Sequence, residues 1–172
     1  YSHNKKIINI IGNISIDLFN QNRIGTVIKH IPGHGLSKND THLKLPYISN
    51  KLSYLEKYDF SVFENKNSIF AMTAHIVFES IDKHNCVTHS KKVIKYIRNK
   101  IGFKNLIISD DISMKALKYS FKENAKKAYE SGCNLVLHCN ANMKEMNNLA
   151  KIAPTVNNFV IKKTSEFYKL LS

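Results

Sequence analysis

Apolar residues gather into four short runs, each closed by polar residues: "TVIKH" (26–30), "IFAMTAH" (69–75), "NLIISDD" (105–111) and "NLVLHCN" (134–140). Continuous apolar runs of this length suit strands buried on both faces, as in parallel sheets. Between them the period becomes helical. In "THSKKVIKYIRNKIGF", Val93, Ile94, Ile97 and Ile101 fall on one face, Thr88 or Ser90 supplies a cap and Gly102 a stop. "FKENAKKAYESGCN" repeats the scheme, with Ala125, Ala128 and Tyr129 inward and Gly132 at its end. "NKKIINIIGNISIDLFNQ" predicts a helix leading into the first run, and "NNFVIKKTSEFYKLLS" a last helix after Pro154. The stretch 50–67 predicts one helix with loose ends. Strand and helix in alternation is the rhythm of a parallel α/β fold.

Composition narrows the function classes. A chain of 172 residues, 43% hydrophobic and 23% charged, has the size and balance of one globular domain. No apolar run approaches the roughly 20 residues of a membrane span, so no membrane partner is expected. Tyr1 is not a methionine, and "YSHNKKIINIIGN" lacks the apolar core of a signal peptide. The expectation is a chain cut from a longer one. The net charge is +13, but the lysines are spread along the chain and the arginines are only Arg23 and Arg98. That pattern fits a lysine-leaning composition that helps attract an anionic substrate, and no nucleic-acid partner is expected. Cys86, Cys133 and Cys139 form no CxxC and predict buried neutral thiols in a reducing compartment. Neither GxGxxG nor GxxxxGK[ST] is present, which leaves a nucleotide site without support.

The candidate chemistry lies where the apolar runs end. Lys29 and His30 close the first, His75 the second, and Asp110 and Asp111 the third. In α/β barrels, catalytic groups sit at these C-terminal strand ends. The loop after the first run, "PGHGLSKNDTHLKLP", carries His34, Asp40 and His42 between two glycines and a proline. In an extended stretch Asp40 and His42 point the same way, and an aspartate beside a histidine fixes its tautomer and raises its basicity. Asp40 also suits an ordinary Asx-turn. Asp110, directly after a buried strand, is a desolvated carboxylate, while Asp111 or Ser113 can cap a helix start just beyond it. Two reaction classes remain: a nucleophilic carboxylate with a general acid/base, or a metal site drawn from His30, His34, Asp40, His42, His75 and Asp110. Spacing does not separate them.

These motifs resemble a family. "KHIPGHGLSKNDTHLKLP" is similar to the signature of the bacterial β-N-acetylglucosaminidases of glycoside hydrolase family 3, K-H-[FI]-P-G-H-G, a gap, D-[ST]-H, then L-P. "AMTAHIVFESID" resembles the family's next strand and loop, "IGFKNLIISDDISMKAL" its G-F-x-x-[LV]-[IV]-[FIV]-S-D-D-[LI]-S-M stretch, and "ESGCNLVLHCN" its last strand. The matches come in family order over roughly residues 1–150.

The resemblance implies a (β/α)₈ TIM-type barrel, of which residues 1–172 carry the last four βα units as the C-terminal half of the catalytic domain. It implies retaining removal of terminal β-linked N-acetylglucosamine from GlcNAc-1,6-anhydro-MurNAc and its peptides, in cytoplasmic peptidoglycan recycling. Asp110 falls at the nucleophile, His42 at the general acid/base with Asp40 holding it, and Lys29 and His30 at sugar hydroxyls. His34 and His75 fall on the wall of the sugar site. No cofactor and no metal are implied. A missing N-terminal half would supply an aspartate that grips the sugar and an arginine just before Tyr1. Two other readings stay open: a non-catalytic remnant or sugar-binding half-barrel, and a metal-dependent barrel hydrolase.

Overall fold

The computed structural model describes residues 2–37 and 44–172. Asp40 and His42 lie outside the described residues. Four strands, β1 (Val27–Ile31), β3 (Phe70–Thr73), β5 (Leu106–Asp111) and β6 (Leu135–Leu137), form one parallel sheet in the order β1-β3-β5-β6. Each sequence-predicted strand is present; β3 and β6 stop short of the polar ends of their runs, whereas β5 keeps its polar end at Asp111 and β1 runs on to Ile31. Register pairs Ile28 with Ala71 and Ala71 with Ile107, and shifts between Lys29 and Ile31 and between Ile108 and Asp111. The peptide bonds Lys29–His30 and Ile31–Pro32 are cis. A second, two-stranded parallel sheet joins β2 (Tyr47–Ile48) to β4 (Val77–Phe78).

Helix α1 (Lys5–Gln21) precedes β1, and Asn4 caps it by accepting from the Lys6 N–H. The stretch predicted as one loose helix is two pieces, α2 (Leu52–Tyr58) and a 3₁₀ turn at Phe60–Phe63. Ser90, not Thr88, caps α3 (Lys91–Tyr96), accepting from the Val93 N–H. The last turn of that helix widens to a π-turn at Ile97–Ile101 before Gly102 stops it at φ 81°. Helix α4 (Phe121–Ser131) ends at Gly132, φ 112°, a left-handed position that favours glycine. Two more helices, α5 (Met143–Ala150) and α6 (Asn158–Leu171), follow β6.

The main core lies between the sheet and these helices. Ile31, Phe60, Ala71, Phe78, Ile97 and Ile107 belong to it, and Phe60 meets Phe78 edge to face at 5.0 Å. At the N-terminal strand ends, Arg98 donates to the carbonyl of Phe103 at 3.0 Å and to Asn134 Oδ1 at 2.8 Å. The same Asn134 oxygen accepts from the Ile107 N–H at 2.9 Å. These bonds tie β5 and β6 at the end away from the chemistry.

Burial on both faces holds for the inner strands but not for β1, where Val27 and Lys29 are exposed. The reason is position: β1 is an edge of the sheet. The outer face of α1 adds Ile10, Ile14 and Leu18 to this exposed apolar surface. Parallel strands alternating with helices, without closure, make a partial barrel of the (β/α)₈ type.

Candidate active site

The C-terminal ends of β1 and β5 bring His30 and Asp110 together. His30 Nε2 lies 3.6 Å from Asp110 Oδ2, and both side chains are partly exposed, at 27% and 16%. They can reach both solvent and a ligand. Burial lowers the His30 pKa; the Asp110 carboxylate pulls the other way, while His34 and Lys29 reinforce the lowering. His30 is therefore a neutral imidazole beside a carboxylate at neutral pH. The His34 ring stands 5.1 Å from that of His30, and Lys29, one residue back, is exposed.

The carboxylates of Asp110 and Asp111 do different work. Asp110 Oδ1 accepts from the Asp111 N–H at 2.8 Å, which leaves Oδ2 toward His30. Asp111 turns away. Its Oδ1 accepts from Ser113 N–H at 3.0 Å and from Cys139 N–H at 3.3 Å, joining the turn after β5 to the end of β6. The helix start expected at Asp111 or Ser113 is absent: the chain turns there instead, and the next helix begins only at Phe121, capped by Ser120.

The resemblance places His75 on the wall of the sugar site, but the structure buries the side chain completely, at 0% exposure. Its Nδ1 lies 2.8 Å from Thr88 Oγ1 and its Nε2 3.0 Å from the Asp111 carbonyl oxygen. Both ring nitrogens are used internally.

The glycine loop is shaped by a residue that sequence reasoning did not select. Asp59, 8% exposed, packs under Gly33 and accepts from the Gly35 N–H at 3.3 Å. Burial raises its pKa, against the lowering effects of the Gly35 N–H and of His34. The glycines thus serve the approach of the chain's own carboxylate. Thr73 and Thr88 were also missed, because one reads as the end of an apolar strand and the other as a helix cap. Cys139 departs from the expected buried thiols: it is exposed at the site's edge, whereas Cys86 and Cys133 are buried and pushed up to about 11 and about 12 by desolvation.

A concavity bounded by Tyr129, Cys133, Leu135, Pro154 and Val160 lies at the N-terminal start of β6, away from Asp110. No group of three metal-ligating side chains occurs among the described residues. What the described site offers is a gripped carboxylate beside a neutral imidazole at the mouth of parallel strands.

Polar and charged groups gathered at the strand ends of a partial barrel define the chain as one of the (β/α)₈ barrel class. It belongs to the glycosyl hydrolase family 3 N-terminal domain family, whose profile matches residues 1–164. The β-hexosaminidase of Neisseria meningitidis serogroup C (strain 053442) is 36% identical over 117 residues, covering 65% of this chain and 32% of that protein. The chain thus spans about a third of the length of the curated relatives it matches. The β-N-acetylglucosaminidase from Thermotoga maritima superposes with a TM-score of 0.76 at 28% identity, covering 96% of this chain and 39% of that one. The Neisseria gonorrhoeae NagZ structure in complex with N-trifluoroacetyl-D-glucosamine gives 0.67 at 29% identity, covering 83% and 42%.

Proposed function

We propose that residues 1–172 form half of the catalytic barrel of a retaining β-N-acetylglucosaminidase. The observation that carries this reading is the placing of Asp110 at the end of β5, one oxygen gripped by backbone and the other free beside neutral His30, in a chain of this family. A carboxylate so held can attack an anomeric carbon as nucleophile, forming a glycosyl-Asp ester as the aglycone leaves. His30 and Lys29 bind sugar hydroxyls, with His34 beside them. His42 protonates the leaving oxygen and then activates the water that breaks the ester, with Asp40 holding its tautomer. A histidine in that role, neutral before it accepts a proton, adds no negative charge beside the nucleophile. His75 takes no part in contacting the sugar.

The substrate class is a saccharide ending in β-linked N-acetylglucosamine. The finer reading is GlcNAc-1,6-anhydro-MurNAc with or without its peptide, met in the cytoplasm during peptidoglycan recycling. The four βα units that complete the barrel come from a complementary N-terminal half.

Leaving-group dependence in the full enzyme tests this. General acid catalysis is worth about 10²–10⁴-fold. His42→Ala loses roughly that much on a GlcNAc disaccharide, whose alkoxide needs a proton, and little in the glycosylation step with a nitrophenyl glycoside. The covalent intermediate then accumulates and azide speeds its release. Asp40→Asn shows the same trend more weakly. Equal loss of glycosylation on both substrates contradicts the assignment of His42.

A further inference from the structure

Beneath Asp110, three buried side chains have donor and acceptor capacities that allow only one direction of hydrogen bonding. The partner of His75 Nε2 is the carbonyl oxygen of Asp111, which only accepts, so Nε2 carries the proton. Burial lowers the pKa of the ring; the Asp111 carbonyl and the charges of Asp110 and Asp111 oppose it more weakly. The ring is neutral, and Nδ1 is a bare lone pair to which the Thr88 hydroxyl, 2.8 Å away, must donate. Thr88 Oγ1 also lies 3.5 Å from the Ala74 carbonyl, but the shorter contact takes its one proton. The 2.8 Å contact between the two threonine hydroxyls is then made by the proton of Thr73. A lone pair of Thr73 Oγ1 accepts the Asp110 N–H at 3.3 Å.

The chain of hydrogen bonds starts at the Asp110 N–H and ends at the Asp111 carbonyl. Between these two anchored groups lies the Asp111 N–H, which grips Asp110 Oδ1 at 2.8 Å. Fixing both flanks fixes the direction of that N–H and therefore the plane of the carboxylate, with Oδ2 toward His30. Thr73, Thr88 and His75 are each 0% exposed. A valine at either threonine would fill a similar volume without a buried hydroxyl to satisfy, so packing alone does not ask for this set.

We infer that Thr73, Thr88 and His75 are positioning residues that hold the Asp110 carboxylate in its attacking orientation through a one-directional hydrogen-bond chain. The inference rests on the reading of Asp110 as nucleophile. It implies that removing the Thr88 hydroxyl leaves the sugar contacts intact and loosens the reacting group. Misplacement of a reacting group by about 1 Å costs about 10²-fold in rate.

Two measurements on the full chain test it. Nitrogen-15 NMR of labelled histidines reads the His75 tautomer without any substitution. The expected result is a neutral ring protonated on Nε2; a proton on Nδ1, or a charged ring at neutral pH, overturns the chain of donors. The second measurement tracks covalent labelling of Asp110 by an activated 2-fluoro glycoside, separating the saturating rate from the half-saturating concentration. Thr88→Val is expected to slow the saturating rate about 10²-fold with little change in half-saturation, and Thr88→Ser to restore it. Thr73→Val serves as the second variant if Thr88→Val does not fold. An unaltered saturating rate in a folded valine variant, or loss that serine fails to rescue, overturns the positioning role. Label found away from Asp110 in the unsubstituted protein instead overturns the nucleophile assignment, and the positioning role with it.

Discussion

Gly33 lies against the buried carboxylate of Asp59 so closely that a β-carbon on it would stand 2.3 Å from Asp59 Oδ2. At Gly35 the nearest approach of a β-carbon is 3.4 Å, to Asp59 Oδ1. The two glycines of one loop therefore predict different outcomes. Gly33→Ala forces the loop or α2's end to move and destabilises by about 1–3 kcal/mol, the usual range for overpacking. Gly35→Ala stays within about 0.5 kcal/mol, as surface changes do. Denaturant unfolding of the two variants checks the contrast, and equal losses contradict it.

Asp59 gives a pH dependence of definite sign. Its carboxyl is raised by burial, so the folded state holds the proton more tightly than the unfolded chain. The associated stability is fully present below the unfolded pKa and is lost as pH rises through the folded one. Asp59→Asn cannot ionise and escapes that loss. The melting temperature of the variant relative to the parent should climb with pH across that window and level off above it. A difference independent of pH contradicts the account.

His89 acts in the opposite direction. Burial lowers its pKa to about 4, and its Nε2 has no hydrogen-bond partner among the described residues. Below the ordinary histidine pKa of about 6.5 the unfolded chain takes up a proton that the folded state refuses. Stability present above that value falls as pH drops toward about 4. The loss is on the order of 2 kcal/mol. His89→Gln should remove most of this acid-side slope, measured by unfolding midpoints between pH 7 and pH 4; an unchanged slope assigns the acid lability elsewhere.

The sheet edge and α1 predict self-association of residues 1–172 in isolation. Ile10, Ile14 and Leu18 on α1 are 59%, 54% and 55% exposed, and Val27 adds to them from the β1 edge. Apolar surface of this kind beside an unpaired parallel strand favours assembly. Sedimentation velocity should show species larger than a monomer at micromolar concentration. A monodisperse monomer with a sharp thermal transition contradicts this.

These contacts show where the sequence was informative. Strand positions came from apolar runs, and Ser90, Gly102 and Gly132 worked as helix punctuation because capping is local chemistry. The juxtaposition of His30 and Asp110 was legible because both sit at strand ends and a parallel sheet brings such ends together. Three features were not legible. Strands β2 and β4 have two residues each, too short to show a period. Helix α5 is only eight residues long and buries only Leu149, its Met143 and Met146 being exposed, so too few positions set its period apart. The burial of His75 depends on Thr73, Thr88 and the turn of β5, groups distant in sequence whose convergence no spacing reveals.

The central claim is that Asp110 is the nucleophile, and trapping it tests that most directly. The full enzyme, incubated with an activated 2-fluoro glycoside and digested, should carry one sugar on the peptide spanning residues 105–115, with fragmentation assigning it to Asp110. Asp110→Asn should take up none and should lose turnover while still binding N-acetylglucosamine. A sugar on Asp111, on Asp40 or on any other residue, or turnover that survives in Asp110→Asn, would contradict the account.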